Sequence, residues 1–236
     1  MKYLAIVPAR AGSKGLLNKN FLNLDGKPLI NYTLEAAKKS LKIDRLVVST
    51  NDPKIINICK KKKIEYILRP KLISLDSSPT ILAIHHVLKK LKVKENYSPD
   101  AVITLQPTSP FRTNKHIDEA INIFNLNKDA DSLVSCEEIP HKYNPLGAYV
   151  IKKNLYLSSL KENNVPIRRQ NKKIFYCRNG AAIYITRISN IKKFMLGGKI
   201  LGYKMDRVSS IDIDNNYDFK ISELILKNKI LLKSYK

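Results

Sequence analysis

The stretch LAIVPARAGSKG, residues 4–15, decides the fold of this chain. Its first four residues form a continuous apolar run ended by Pro8, which predicts a buried strand in a sheet covered on both faces. Two glycines then allow a tight turn that brings backbone amides close to a ligand, and Arg10 and Lys14 add positive charge. The spacing differs from a Walker A loop. The stretch predicts a strand and a phosphate-binding loop, or else an ordinary turn with solvated basic residues.

Downstream of this stretch, short β-rich runs alternate with amphipathic stretches of helical period. Strands are predicted at 45–49, 65–68, 101–105 and 132–135. Helices are predicted to begin at Pro28, at Pro53 after the cap Asp52, and at Ser78-Pro79, and a further helix is predicted over 114–126. Such alternation is typical of right-handed βαβ units that build a mainly parallel sheet. We therefore predict one α/β domain over residues 1–236, with ligands bound at the carboxyl ends of its strands.

The alternation stops at about residue 137. Residues 137–178 are polar and basic, contain three prolines and show no clean helical pattern. We interpret this segment as a small inserted lobe. The sheet is predicted to resume at 181–185, and a final helix is predicted over about 216–231.

The formal net charge of +23 raises the possibility of a nucleic-acid partner, because a basic surface attracts phosphates. The lysines are spread over the whole chain, however, and residues 60–63 are their only block. Aromatic residues do not alternate with the basic ones, as a base-stacking surface would require. We therefore interpret the charge as a solvated surface that also favours anionic substrates, and expect no nucleic-acid partner.

Cysteine content and hydropathy predict a cytoplasmic protein. The three cysteines are an odd number without metal-ligand spacing, so we expect reduced thiols rather than a disulfide framework. The apolar run near the start is too short for a signal sequence, and no run approaches the roughly 18 apolar residues of a membrane span. We expect no membrane association.

A pair of acids near the end of the chain predicts a metal site. In the stretch SIDID, residues 210–214, Asp212 and Asp214 are two residues apart, so in a strand both would point to the same face. Magnesium prefers one or two carboxylates and takes its other ligands from water and phosphate. The alternative is an exposed strand end with two solvated acids.

The stretch LQPTSPFR, residues 105–112, directly follows the fourth predicted strand. Its two prolines fix a turn that presents Gln106 and neighbouring hydroxyls where the sheet binds ligands. Without the other motifs, a plain loop is the simpler interpretation.

Taken together and in this order, PARAGSKG (8–15), LRP (68–70), LQPTSPFR and SIDID resemble the acylneuraminate cytidylyltransferases, also called CMP-sialic acid synthetases. The resemblance extends from Pro8 to about Phe219. The related cytidylyltransferases for 3-deoxy-octulosonate carry Q-G-D where this chain has Q-P-T, which favours the nonulosonate branch. The resemblance implies a Rossmann-like nucleotidyltransferase fold with a small dimerisation lobe, a homodimer, CTP as donor and magnesium as cofactor.

The resemblance also implies a set of site residues. The residues implied to contact the nucleotide are Arg10, Gly12, Ser13, Lys14, Asn20, Arg69, Ser78 and Thr80. Those implied to contact the acidic nine-carbon sugar are Gln106, Arg169, Asn179 and Tyr184. The metal would be bound by Asp212 and Asp214. In the implied reaction, the anomeric hydroxyl of the sugar attacks the α-phosphorus of CTP. Arg10 and Lys14 would stabilise the charge on pyrophosphate, and Asp212 would accept the proton.

Two departures from the family pattern fall in the sugar-binding half. Gly147 stands where many members have a lysine, and the stretch CRNGAAIY, residues 177–184, fits the family's R-P-N-G-A-I-Y only with a one-residue ambiguity. The identity of the sugar therefore stays open. Alternatives are a nucleotidyltransferase for another sugar or nucleotide, or a non-catalytic nucleotide- or nucleic-acid-binding protein on the same fold. The presence of both loop cations and both acids favours an enzyme.

Overall fold

The computed structural model describes residues 1–12, 16, 18–159, 173–180 and 182–228. The strands are β1 (Tyr3–Pro8), β2 (Asn23–Leu24), β3 (Lys27–Pro28), β4 (Arg45–Thr50), β5 (Glu65–Leu68), β6 (Ala101–Thr104), β7 (Ser132–Glu138), β8 (Tyr149–Ile151), β9 (Leu157–Ser159), β10 (Tyr176–Arg178), β11 (Tyr184–Arg187) and β12 (Ile200–Lys204). The helices are α1 (Leu29–Lys39), α2 (Pro53–Lys62), α3 (Thr80–Glu95), α4 (Asn114–Leu126) and α5 (Asn216–Lys227).

One mainly parallel sheet forms the centre of the molecule. From one edge inward, β5, β4, β1 and β6 run parallel to each other. Next to β6 lies β11, which is antiparallel to both β6 and β7, and β10 continues along the same side of β7. At the other edge β12 pairs with β7 in parallel. The predicted α/β class with a mainly parallel sheet is confirmed.

The first strand is covered on both faces, as its sequence predicts. Alternate residues of a strand point to opposite faces. Ala5 and Val7 therefore contribute to a core beneath α1, α2 and α4, whereas Leu4 and Ile6 contribute to a second core beneath α3. All four side chains are fully buried.

The helix starts follow from local capping chemistry. The Asp52 carboxylate accepts a hydrogen bond of 2.9 Å from the backbone N–H of Lys54, and Pro53 occupies the first turn of α2. At α4, Thr113 and His116 form a reciprocal capping box. Asn215 and Asp218 do the same at α5, directly after the acidic stretch. The predicted helices following Pro28, Asp52 and Ser78-Pro79 and at 114–126 are confirmed.

The structure corrects the expected strand at 210–214. Residues 211–214 form no strand, because the backbone N–H of Ile213 makes a single bond of 2.8 Å to the carbonyl of Thr108 instead of a ladder. The preceding turn is closed by the Asp206 carboxylate, which accepts hydrogen bonds from the N–H groups of Val208 and Ser209. The acidic stretch is thus an irregular segment anchored at Ile213.

Two other boundaries differ from the predicted ones. The strand expected over 181–185 begins at Tyr184, and Ala181 lies outside the described residues. The last helix ends at Lys227, and 229–236 lie outside the described residues.

The inserted segment is shorter than predicted at both ends within the described part of the chain. Glu137 and Glu138 belong to β7, and the residues of β10 pair with them in the main sheet. Between the two strands, the described residues form two short 3-10 turns and the antiparallel hairpin of β8 and β9. In the part of the chain that the structure describes, no helix is long and apolar enough to cross a membrane.

Candidate active site

The loop after β1 is held in place by side chains from neighbouring strands. The backbone N–H of Ala11 donates to the side-chain oxygen of Asn51, which follows β4, at 2.9 Å. The side-chain amide of Asn20 donates to the carbonyl of Arg10 at 3.2 Å. Gly12 adopts φ +70°, a left-handed conformation that glycine adopts without strain. Ser13 and Lys14 lie outside the described residues, so their predicted phosphate contacts stay predictions.

This loop forms one wall of a cleft at the carboxyl ends of β1, β4 and β6. The cleft has a volume of about 450 Å³, which is within the range of small-molecule sites. Its lining includes five of the eight residues predicted to bind nucleotide, namely Arg10, Asn20, Arg69, Ser78 and Thr80. The other lining residues are Pro8, Lys19, Asp76, Gln106, Pro107, Thr108 and Asp214. Residues from five separate stretches of sequence are therefore brought together, and we call this space the nucleotide cleft.

Arg69 is a preorganised cation in the nucleotide cleft. Its side chain is buried and donates from Nε to the hydroxyl of Ser49 at 3.1 Å and from Nη2 to the Ser49 carbonyl at 2.8 Å. Burial, together with a smaller effect of the nearby charge of Arg10, lowers the pKa of Arg69 to about 10. The guanidinium remains charged at neutral pH and is fixed before any ligand arrives.

Two other cations in the cleft are paired with carboxylates. Arg10 donates from Nη1 to the carbonyl of Gly12 at 2.9 Å and from Nη2 to the carboxylate of Asp76. The ammonium of Lys19 lies 2.9 Å from Oδ1 of Asp214. The cleft therefore combines basic groups for phosphates with acids that balance their charge.

One member of the acidic pair, Asp214, lies in the wall of the nucleotide cleft, and Asp212 is two residues before it. Ile213 is fully buried against Leu24, Leu29 and Phe219, and it is flanked by Asp212, which is partly buried, and by Asp214, which is exposed. Burial raises the pKa of Asp212, and the nearby Thr108 hydroxyl opposes this effect. The negative charge of Asp214 raises it as well. Asp214 itself is largely exposed.

Gly180 presses directly against Asp212. It has φ +69°, and a Cβ atom placed there would lie 2.5 Å from Cγ of Asp212 and closer still to Oδ2. Only a glycine leaves room for the carboxylate in this position. The bend between β10 and β11 is therefore built around Asp212.

The acidic pair fits a magnesium ion by the chemistry of its donors. Oδ1 of Asp212 is buried and has no hydrogen-bond partner among the described residues, which is costly unless a ligand occupies it. Asp214 supplies a second carboxylate in the same segment, and no third acid, histidine or cysteine completes an all-protein cluster in the described residues. Magnesium is commonly bound by one or two carboxylates plus substrate phosphates and water.

A second chamber lies on the other side of the acidic pair. It has a volume of about 390 Å³ and is lined by Glu137, Arg178, Asn179, Gly180, Arg207, Ser210, Ile211, Asp212, Asp214 and Asp218. Asp214 lines both this chamber and the nucleotide cleft. Two ligands, one in each space, would therefore meet at Asp214.

The residues predicted to bind the sugar lie in different places. Gln106 lines the nucleotide cleft, and Arg169 lies outside the described residues. Asn179 is buried, where its amide oxygen accepts from the Ser135 hydroxyl at 2.7 Å and its nitrogen donates to Ser210 at 3.0 Å. These bonds hold the start of the acidic segment, and a contact of Asn179 with the sugar stays a prediction.

Tyr184, the fourth predicted sugar residue, is buried in β11. Burial is the main reason that the pKa of its hydroxyl is raised, and the nearby positive charge of Arg178 opposes this effect. Arg178, which lies close to this hydroxyl, lines the second chamber. Direct contact of Tyr184 with a sugar stays a prediction.

Sequence reasoning missed several residues that build the site. Arg112 is fully buried and donates to the carbonyls of Gln106 at 3.1 Å and Ala182 at 2.8 Å, and to the hydroxyl of Thr33 at 2.6 Å. Burial lowers its pKa to about 9. These bonds connect the loop after β6 to the segment before β11 and to α1. The presence of Arg112 in the LQPTSPFR stretch is the sequence feature that could have identified it. Asn51 could have been found from its place directly after a strand.

Comparison with known proteins shows the family. The cytidylyltransferase family model matches residues 4–222, which is nearly the whole chain. The chain belongs to the cytidylyltransferase family. The resemblance read from the four sequence motifs is therefore confirmed.

Individual relatives of this cytidylyltransferase carry related names. An N-acylneuraminate cytidylyltransferase of Escherichia coli is 33% identical over 97% of this chain and 53% of its own length. A CMP-N,N'-diacetyllegionaminic acid synthase of Legionella pneumophila is 32% identical over 96% of this chain and 97% of its own length. The chain spans about half the length of the N-acylneuraminate cytidylyltransferases that it matches.

Solved structures confirm the fold of this cytidylyltransferase. A CMP:2-keto-3-deoxy-manno-octonic acid synthetase complexed with CTP has a TM-score of 0.70 over 97% of this chain and all of its own, at 17% identity. A 4-diphosphocytidyl-2C-methyl-D-erythritolsynthase from Anaerococcus prevotii has a TM-score of 0.66 over 96% of both chains. The Rossmann-like nucleotidyltransferase fold expected from the sequence is thus present.

Proposed function

We propose that this cytidylyltransferase transfers CMP from CTP to the anomeric hydroxyl of a nonulosonic acid, an acidic nine-carbon sugar, and releases pyrophosphate. The observation that carries the proposal is that two chambers with basic residues in their walls adjoin at Asp214, and that Asp212 lines the second of them. A nucleotide in the first chamber and an acidic sugar in the second would place the attacking hydroxyl and the α-phosphorus side by side. Proximity of this kind is a large part of catalysis in such transfers.

The nucleotide cleft suits a pyrimidine nucleoside triphosphate. Arg69 is fixed by Ser49, and Asn20, Ser78 and Thr80 provide neutral donors and acceptors for a base and a ribose. Arg10 and Lys19 supply charge for the phosphates, and Lys14 is expected to add to it from the same loop. Arg10 and Lys14 would also stabilise the negative charge that develops on the leaving pyrophosphate.

The chemical step requires one proton acceptor. The anomeric oxygen forms a bond to the α-phosphorus, the bond from that phosphorus to the bridging oxygen of pyrophosphate breaks, and the bond electrons leave with pyrophosphate. The proton of the hydroxyl passes to Asp212, whose carboxylate lies in the wall of the second chamber. Gly180 and the Asn179–Ser210 hydrogen bond keep this carboxylate in position.

We assign magnesium as the cofactor and the acidic pair as its protein ligands. The unpartnered Oδ1 of Asp212 and the exposed carboxylate of Asp214 support this assignment. When bound, magnesium supplies positive charge that neutralises the phosphates and polarises the α-phosphorus. Binding of the ion to Asp214 would also release Lys19 toward the phosphates.

The second chamber supports an acidic sugar as acceptor. Arg178 and Arg207 lie in its wall, and guanidinium groups are well suited to a planar carboxylate. Gln106 would contact the sugar from the nucleotide cleft, and Arg169 is expected to approach from the inserted segment. The Q-P-T sequence at residues 106–108 and the relatives named for sialic and legionaminic acids favour a nonulosonic acid.

We further propose that the enzyme is a homodimer that acts in the cytoplasm, where CTP is made. The hairpin of β8 and β9 exposes a row of large apolar side chains, among them Tyr149, Ile151, Tyr156 and Leu157, which are each more than half exposed. Such a patch is typical of an interaction surface. The three cysteines are free in the structure, which suits a reducing compartment.

The proposal is tested by pyrophosphate release with magnesium. Each of the four ribonucleoside triphosphates is paired with a panel of nonulosonic acids and with 3-deoxy-octulosonate. Release only with CTP and a nonulosonic acid is the expected result. Release with another nucleotide or only with 3-deoxy-octulosonate would reject the assigned substrates, and no release under any pairing would favour a non-catalytic nucleotide-binding protein.

A further inference from the structure

The ion pair between Arg10 and Asp76 links two sides of the nucleotide cleft. The two residues are 66 positions apart in sequence, one in the loop after β1 and the other in the loop before α3. Both side chains line the cleft and are partly shielded, with 26% and 32% of their surfaces exposed. No role has been assigned so far to Asp76, an acid in a cleft that is expected to hold a highly anionic ligand.

Asp76 competes for the donors that a phosphate would use. Arg10 already has Nη1 on the carbonyl of Gly12 and Nη2 on the Asp76 carboxylate. A guanidinium binds phosphate best through two parallel N–H groups. A phosphate that binds Arg10 in this way must therefore replace at least the carboxylate of Asp76.

We propose that Asp76 is an internal counterion that occupies Arg10 in the free protein and is displaced when the phosphates of the nucleotide bind. This inference rests on the proposed function, because it concerns the same cleft. The exchange favours polyphosphates: a carboxylate bears one negative charge, whereas a triphosphate bears several and gains more from Arg10. A monovalent anion, such as the carboxylate of the acceptor sugar, gains little by replacing Asp76.

The Lys19–Asp214 pair shows that the same arrangement occurs twice in the cleft. There too a cation faces a carboxylate, at 2.9 Å. Asp214, however, also belongs to the assigned metal site, so its neutralisation would change metal binding and cation release together. Asp76 is therefore the acid at which the release of a cation can be measured without a change in metal binding.

The test is the affinity of Asp76→Asn for CTP and for inorganic pyrophosphate, measured by calorimetry in EDTA so that no metal contributes. Asparagine keeps the shape of the side chain and removes its charge. Partly exposed ion pairs have small free energies, so we expect the dissociation constant of each ligand to fall by about two- to fivefold. Asp76→Ser is the second variant, and circular dichroism confirms that both are folded.

Two controls separate the local effect from a general gain of positive charge. Asp129→Asn changes the net charge equally, at an exposed acid paired with Lys199 before β7, and is expected to shift affinity much less. In an Arg10→Gln background, Asp76→Asn is expected to have no effect, because the cation that it releases is gone. An equal gain in Asp129→Asn, or an undiminished gain without Arg10, would overturn the proposal.

The outcome also distinguishes this inference from the proposed function. Unchanged or weaker binding of both ligands by Asp76→Asn, while the wild type binds CTP, rejects the counterion and leaves the function intact. Tighter pyrophosphate binding by the variant, with no CTP binding by either protein in EDTA or with magnesium, supports the counterion and rejects CTP as donor. If the wild type binds neither ligand in EDTA or with magnesium, Arg10 is not a phosphate cation and the inference fails.

Discussion

Replacing Gly180 with alanine tests how closely the bend before β11 is matched to Asp212. The new methyl group would lie 2.5 Å from Cγ of Asp212, whereas carbon atoms in contact are about 3.5 Å apart. The carboxylate must therefore move by about 1 Å, and a displacement of that size at a reacting group costs about 100-fold in rate. We expect kcat/KM of Gly180→Ala to fall by about that factor.

The same substitution also strains the backbone. A residue with a Cβ atom at φ +69° costs about 1–2 kcal/mol, which for a chain of this size lowers Tm by about 2–8 °C. Gly26→Ala is the matched control, because Gly26 has φ +82° but nothing within 4 Å of the added atom. It is expected to show a similar loss of stability with full activity.

The assay for both variants is continuous pyrophosphate release at saturating CTP with the acceptor varied, together with thermal melting by circular dichroism. We expect a large loss of activity in Gly180→Ala alone. A folded Gly180→Ala protein with wild-type kcat/KM would refute the assigned position of Asp212. An equal loss in Gly26→Ala would show that backbone strain, and not the carboxylate, is responsible.

Three further predictions concern the base, the buried arginine and the hairpin. Because burial raises the pKa of Asp212, the folded protein loses stability as the pH rises from 3.8, the usual pKa, through the higher pKa of the folded state. Asp212→Asn should abolish most turnover and should flatten this loss of stability when unfolding by urea is measured across the same pH range. Normal turnover of the variant would exclude Asp212 as the base. Arg112→Met leaves two carbonyls without their donor and should lower the free energy of unfolding by about 2–4 kcal/mol, whereas an unchanged urea midpoint would contradict the importance of its bonds. Ile151→Asp should convert a dimer to a monomer in light scattering, and a wild-type monomer at micromolar concentration would reject the dimer.

The central fold was predictable because its signals are local. An apolar run such as 4–7 identifies a strand covered on both faces, and a cap followed by proline at Asp52-Pro53 identifies a helix start. The carboxyl ends of parallel strands then indicated where the site lies. Residues Arg10, Asn20 and Arg69 do meet there.

The acidic stretch shows where local patterns fail. Alternation of apolar and acidic residues at 210–214 predicted a strand, but a strand requires a neighbouring edge with which to pair. Ile213 instead bonds to a loop carbonyl and packs in a small core with Leu24 and Phe219. Both acids still flank a buried residue, so the metal prediction did not depend on the strand.

The ion pairs of the site could not be predicted, because they join distant parts of the chain. Asp76 is 66 residues from Arg10, and Asp214 is 195 residues from Lys19. Nothing in the local sequence of an acid indicates which cation it will meet after folding. The fit of Gly180 around Asp212 is of the same kind, since it depends on two segments that approach only in the folded protein.

The most direct measurement of the central claim is the mass spectrum of the product formed from CTP and a nonulosonic acid, with pyrophosphate quantified in the same reaction. We expect one product whose mass equals CTP plus the acid minus pyrophosphate, in a one-to-one ratio with pyrophosphate released. A product retaining the β-phosphate, or pyrophosphate released without any conjugate, would contradict attack of the sugar hydroxyl on the α-phosphorus.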